Sequence, residues 1–180
     1  MRLVLIAAAA TLAAACTPAE EVDVMSAGCD ARAVGSWNAG EATYSLEATS
    51  AGPDCERAVA TLIVRDSSGV PIFAEAHLAQ HVMMLSHADD TAAMEAALGE
   101  WTDVQSQTSA QLPEWAANAD SPVSGEFPFY PHEGIDRAQY EAVRASNAPM
   151  LCYVQGMESL NCMVLEEGGF ASIGLQSFPG

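Results

Sequence analysis

A chain of 180 residues with 24 acidic and 6 basic side chains, a net charge of −18, cannot offer the basic surface that nucleic acid or anionic lipid headgroups require. Half of its residues are hydrophobic, which excludes a disordered chain and leaves enough apolar material for a core. A cationic protein, a metal ion or a neutral ligand stays open as a partner, and a self-repelling acidic surface by itself favours solubility.

The first element is N-terminal. Arg2 precedes Leu3-Val4-Leu5-Ile6 and an alanine-rich run that ends at Ala15, immediately before Cys16. A positive start, a short apolar stretch and small residues at a cut are the layout of a signal peptide over residues 1–15. The apolar stretch is about 13 residues against the roughly 20 of a spanning helix, so cleavage is expected rather than permanent insertion. Leu12-Ala13-Ala14-Ala15-Cys16 resembles the lipobox of bacterial lipoproteins, with the large apolar residue at Leu12 and Ala13 in the third position before the cysteine. The resemblance implies a lipid on Cys16 and hence a membrane partner through that anchor. Thr17 stands where an Asp would mark inner-membrane retention, which implies an outer-membrane destination facing the periplasm. Ordinary secretory cleavage after Ala15, leaving a soluble chain, is the alternative.

Residues 16–28 are polar and aperiodic, as a tether between lipid and fold would be. Residues 29–180 are enough chain for one domain and too little for two comfortable ones. From Ala42 the sequence alternates, Tyr44, Leu46 and Ala48 against Thr43, Ser45, Glu47 and Thr49, which predicts a half-buried strand. Turn chemistry at Ser50-Ala51-Gly52-Pro53-Asp54 leads to a second strand, Ala58 to Val64, and Asp66-Ser67-Ser68-Gly69 reverses the chain into a third, Val70 to Phe73. Pro71 cannot donate to a ladder and belongs at a strand start or an edge.

Asp89 or Asp90 then offers an N-cap to a helix whose inner face carries Met94, Ala97, Leu98 and Trp101. Asp103 to Gly134 shows no periodicity for about thirty residues, longer than most connections in compact domains. Asp136 caps a second helix, with Gln139 as reciprocal capping partner and Arg137–Glu141 as an expected i,i+4 pair; Asn147 and Pro149 end it. Met150 to Val154, Cys162 to Leu165 and Ala171 to Phe178 read as further strands, the first two joined near Met157. The order predicts an α+β fold: an antiparallel sheet of about five to six strands with two helices on one face. In an oxidising compartment the four remaining cysteines pair, and neighbours in sequence favour Cys29–Cys55 and Cys152–Cys162 among three possible connectivities.

Three groups of residues bear chemistry. His77, His81 and His87 cluster around Met83 and Met84. A helix would put His77 and His81 on one face for zinc or copper, whereas a strand would hold them roughly 13 Å apart, too far for one ion. The segment Gly125 to Gly134 sets Phe127, Phe129, Tyr130 and His132 on a proline-fixed loop, and Trp115 comes soon after Pro113, so these five are the candidate binding residues. Phe127 and Phe129 would alternatively plug the core. Cys152 near His132 would make a thiol–histidine pair only if Cys152 were free. No nucleophile elbow, P-loop or dinucleotide fingerprint is present, and no cofactor is implied.

These readings favour a non-enzymatic, exported binding or inhibitor-type module with a protein partner, cationic by charge complementarity. An envelope hydrolase or thiol enzyme and a copper or zinc binding protein are the alternatives. With no recognition motif matched, the outline of a small, disulfide-bonded, exported domain is similar to that of bacterial lysozyme inhibitors, which engage a cationic enzyme.

Overall fold

The computed structural model describes residues 28–122 and 127–178. The signal peptide, Cys16 and nearly all of the tether lie outside the described residues. Two antiparallel sheets account for the strands. The first runs in sequence order, β1 (Ala31–Ala39), β2 (Ala42–Ala51), β3 (Val59–Arg65) and β4 (Pro71–Leu78). The second has the order β5-β7-β8-β9-β6, from β5 (Gln107–Thr108), β6 (Phe129–Pro131), β7 (Pro149–Val154), β8 (Ser159–Glu166) and β9 (Gly169–Ser177). The helices are α1 (Thr91–Trp101) and α2 (Arg137–Ser146).

The α+β class stands, but one sheet of five to six strands is replaced by two, of four and five strands. Strand β1 is invisible to periodicity for a physical reason. Its inward positions are Ala31, Ala33, Gly35, Trp37 and Ala39, mostly residues too small to mark an apolar face. They are small because α1 lies against them: a Cβ on Gly35 would sit 2.6 Å from the Thr102 carbonyl oxygen at the end of that helix.

The helices also lie apart instead of sharing one face. Met94, Leu98 and Trp101 of α1 join the larger core, which draws Trp37, Leu46, Leu62 and Val64 from the first sheet and Leu151, Tyr153 and Met163 from the second. Helix α2 covers the opposite face of the second sheet, where Tyr140 packs with Phe129, Met150, Cys162, Val164 and Ile173. The second sheet is thus a middle layer with a different partner on each face.

Both helix starts obey their sequence signals. Asp90 caps α1 by accepting from Ala93 N at 2.8 Å, and Asp136 and Gln139 form the reciprocal box at α2, which ends with Asn147 in the left-handed region at φ 51°. Disulfides join Cys29 to Cys55 and Cys152 to Cys162, the latter a directly opposed cross-strand pair.

The long aperiodic stretch is held down by α2 rather than by its own pattern. Arg137 donates to the carbonyls of Trp115 (2.8 Å) and Ala117 (3.0 Å), Tyr140 to Pro113 (2.8 Å) and Arg144 to Leu112 (3.0 Å). Backbone acceptors that a loop would leave to water are satisfied by one helix face. This overturns the expected Arg137–Glu141 pair, since Arg137 is turned to the loop and Glu141 pairs with Arg144 at 2.8 Å instead.

Candidate functional site

Strand β4 alternates, and the side chains it turns inward after Ile72 are Phe73, Glu75 and His77. An acid and an imidazole facing a core need partners. Glu75 finds one across the sandwich, where the Tyr153 hydroxyl donates to Glu75 Oε2 at 2.6 Å. Tyr153 is 1% exposed, and both burial and the carboxylate it serves push its phenol well above the usual range.

From Tyr153 a chain of hydrogen bonds runs across the second sheet. Asn161 Nδ2 lies 3.4 Å from the Tyr153 hydroxyl, Ser172 Oγ donates to Asn161 Oδ1 at 2.6 Å, and His132 Nε2 lies 2.7 Å from Ser172 Oγ. The register explains the alignment: Tyr153 is opposite Asn161, Asn161 opposite Leu175 and Leu175 opposite Tyr130, so one row crosses β7, β8, β9 and β6. An irregularity between Cys162 and Met163 shifts β9 and brings Ser172 within reach of Asn161.

The chain has a direction. Ser172 has a single hydroxyl proton and gives it to Asn161, so the His132 nitrogen must be the donor in its contact with Ser172. Donation therefore passes from His132 to Ser172 to Asn161, and from Asn161 to Tyr153 to the Glu75 carboxylate. A serine nucleophile needs the reverse, with histidine accepting the hydroxyl proton. In this order of donors the Ser172 proton is directed to Asn161 and not to His132. The thiol route fails separately, because Cys152 is bound to Cys162 and has no thiol to offer.

Towards β6 the cover given by the first sheet thins. Ser172 is exposed, His132 half-buried, and Tyr130 is 51% exposed beside Leu175. Strand β6 lies tight on β9, since a Cβ on Gly174 would collide with the Tyr130 carbonyl and the Phe129 ring. The tyrosine is thereby held on a short strand that ends in Pro131, which has no amide proton to pair with a further strand. At the far end of the sheet from β6, around the end of β7, a groove of about 330 Å³ is lined by Met84, Val104, Val154 and Leu160 together with Glu100 and Asp103.

The five candidate binding residues separate. Tyr130 and His132 lie on this face, and Phe127, 43% exposed, precedes it. Phe129 is 1% exposed and packs on Tyr140, which corrects its assignment as a binding residue: strand alternation sends it to the α2 side. Trp115 is half-buried with its ring edge-on to Tyr140 and its indole nitrogen on the Ala119 carbonyl, so it secures the loop.

The metal candidates separate too. His77 is in β4 while His81 ends a short 3₁₀ turn, Ala79–His81, so the helix that would have set them on one face does not form. Among the described residues no group of three metal-binding side chains occurs. His77 sits edge-on to Trp101 and Tyr153, its Nε2 has no hydrogen-bond partner, and burial lowers its pKa against the opposing pull of Glu75.

Glu75, Tyr153, Asn161 and Ser172 are not marked by the sequence pattern. The one usable signal is an acid at an inward position of β4, two residues from Phe73 and two from His77. No family model, curated protein or solved structure matches this chain.

Proposed function

We propose that the chain is an exported lipoprotein, anchored through Cys16 in the outer membrane and facing the periplasm, whose folded part binds a cationic protein without catalysing a reaction on it. The observation that carries the reading is Tyr130, 51% exposed on a strand fixed against β9, next to an imidazole hydrogen-bonded to Ser172 at the exposed end of a chain that begins in the core. Rigid aromatic side chains bind at low entropic cost, and recognition surfaces are enriched in tyrosine. A net charge of −18, and two carboxylates, Glu100 and Asp103, in the lining of a groove elsewhere on the same sheet, favour a basic partner whose long side chains bury their stems and pair their charge.

Two experiments test it. Intact mass of protein purified from bacterial membranes, beside Cys16→Ser, is expected to show added lipid that the variant loses; equal, lipid-free masses contradict the anchor. Binding to a lysozyme, as a basic envelope-active probe, is expected to weaken with salt and to fall about tenfold or more in Tyr130→Ala, the size of a hot-spot loss. Absence of binding, or binding indifferent to Tyr130→Ala, contradicts the module.

A further inference from the structure

Away from the Tyr130 face, where the β1–β2 hairpin approaches β5 and the start of β7, lies a cleft of about 550 Å³. That volume is within the range of sites for small ligands, roughly 300–1,000 Å³. Its chemistry differs from the rest of the surface. In a chain with 24 acidic residues, none of the eight residues lining this cleft is charged. Six carry an amide or a hydroxyl: Asn38, Ser106, Gln107, Thr108, Gln111 and Asn147. Gly40 and Pro149 complete it.

Two of the amides are already oriented. The Asn38 oxygen accepts from the Thr43 hydroxyl at 2.9 Å, and the Gln111 oxygen accepts from the Thr108 backbone N–H at 2.8 Å. Each therefore has its acceptor engaged and its NH2 group uncommitted. The Thr108 hydroxyl is engaged in turn by the Gln111 backbone, which fixes the rim of the short turn Ser109–Gln111. Asn147 is held by the backbone, since it is the left-handed residue ending α2. The cleft is thus furnished with pre-set donors and with the further amides of Gln107 and Asn147, each a donor and an acceptor.

From this geometry we infer that the cleft binds a neutral oligosaccharide. An anion would meet no cation there and the field of an acidic protein around it. A cation would meet no carboxylate in the lining. A wholly apolar ligand would leave the amides unpaired, whereas a sugar offers C–H faces to the apolar part of the lining and hydroxyls to the amides. Sugar hydroxyl, ring and glycosidic oxygens accept from NH2 groups, and the hydroxyls donate to amide oxygens, so each group in the lining finds a counterpart.

The test titrates the purified protein by calorimetry with maltotetraose, cellotetraose and tetra-N-acetylchitotetraose, alongside an uncharged alanine tetrapeptide. The variant is Asn38→Ala/Asn147→Gly, in which glycine keeps the left-handed backbone and removes only the amide. Saturable one-to-one binding of at least one sugar is expected, weakened about tenfold in the variant, the order for two lost neutral hydrogen-bonding groups. Tyr130→Ala is expected to bind the same sugar unchanged, which separates this site from the protein-binding face. An unchanged circular dichroism spectrum shows that the variant folds; if it does not, Gln107→Ala replaces it, with an expected loss of about threefold for one group. No binding of any of the three sugars, binding indifferent to the substitutions, or tighter binding of the tetrapeptide would overturn the inference.

Discussion

The two sheets face each other across one core, but they solve the problem of that shared face differently. On the first sheet the inward side chains of β2 and β3, Leu46, Ala48, Ala60, Leu62 and Val64, are all fully buried and apolar. On its outer surface Glu47 accepts from Arg32 at 2.8 Å and Arg65 at 3.0 Å and is held below the usual carboxylate range by both, and only its edge strand β4 turns titratable groups, Glu75 and His77, inward. On the second sheet the inward row places Tyr153 and Asn161 in the core and continues through Ser172 and His132 to the exposed edge. The first sheet buries apolar side chains on β2 and β3 and meets the polar chain only at Glu75 of its edge strand. The other carries polarity from the interior to the surface and fixes the residues that meet solvent there.

The largest expected effect breaks the burial side. Leu62→Ala removes a side chain with no exposure and should cost about 2–5 kcal/mol by denaturant unfolding. A loss well under 1 kcal/mol would mean that the first sheet does not bear the core. On the polar side, Tyr153→Phe keeps the ring but strips Glu75 of its donor and Asn161 of its acceptor, and should cost about 1–3 kcal/mol. A neutral or stabilised Tyr153→Phe would show that the hydrogen-bond chain is not stability-relevant, and the contrast between the sheets would collapse.

A smaller effect tests whether α2 secures the layer behind the second sheet. Asp136→Ala removes the capping oxygen from Gln139 N, with an expected loss of about 1 kcal/mol. Hydrogen exchange should quicken at Leu112 to Ala117, the segment that α2 side chains hold.

The smallest effect is one of pH. His77, packed against Trp101 and Tyr153 with Glu75 two residues away, has a folded pKa below its usual 6.5. On acidification the unfolded chain takes up that proton first, near 6.5, so stability present above 6.5 is lost as the pH falls towards the lowered folded value. The carboxylates held low, Glu47 and Glu141, release their stability only below their usual 4.5. His77→Phe should therefore flatten the stability profile below 6.5, before the carboxylates begin to contribute. A slope unchanged by the substitution would place the titration elsewhere.

Legibility tracks the size and locality of the signals. Alternation around Leu46 and the cap at Asp136 act within a few residues, the cysteine pairs within 26 and 10, and the structure agrees with each. Strand β1 is hidden because Ala33 and Gly35 are small to admit α1, a constraint set by a helix about sixty residues on. The long loop reads as unstructured because its backbone partners, Arg137, Tyr140 and Arg144, are side chains of a later helix. The polar chain is equally out of reach: Glu75, Tyr153, Asn161 and Ser172 are brought together by sheet pairing and a bulge, neither of which leaves a local pattern. Tyr130 and His132 are visible as aromatic and titratable residues beside prolines, but only the register shows that Phe129 turns the other way.

The most direct test of the account is residue-resolved NMR of the isotopically labelled protein as a lysozyme is titrated in. The largest shift changes are expected at Tyr130, His132, Ser172 and Leu175, with weaker ones relayed to Asn161 and none along the buried positions of β3. Changes confined to the first sheet, or no changes at low ionic strength, would contradict it.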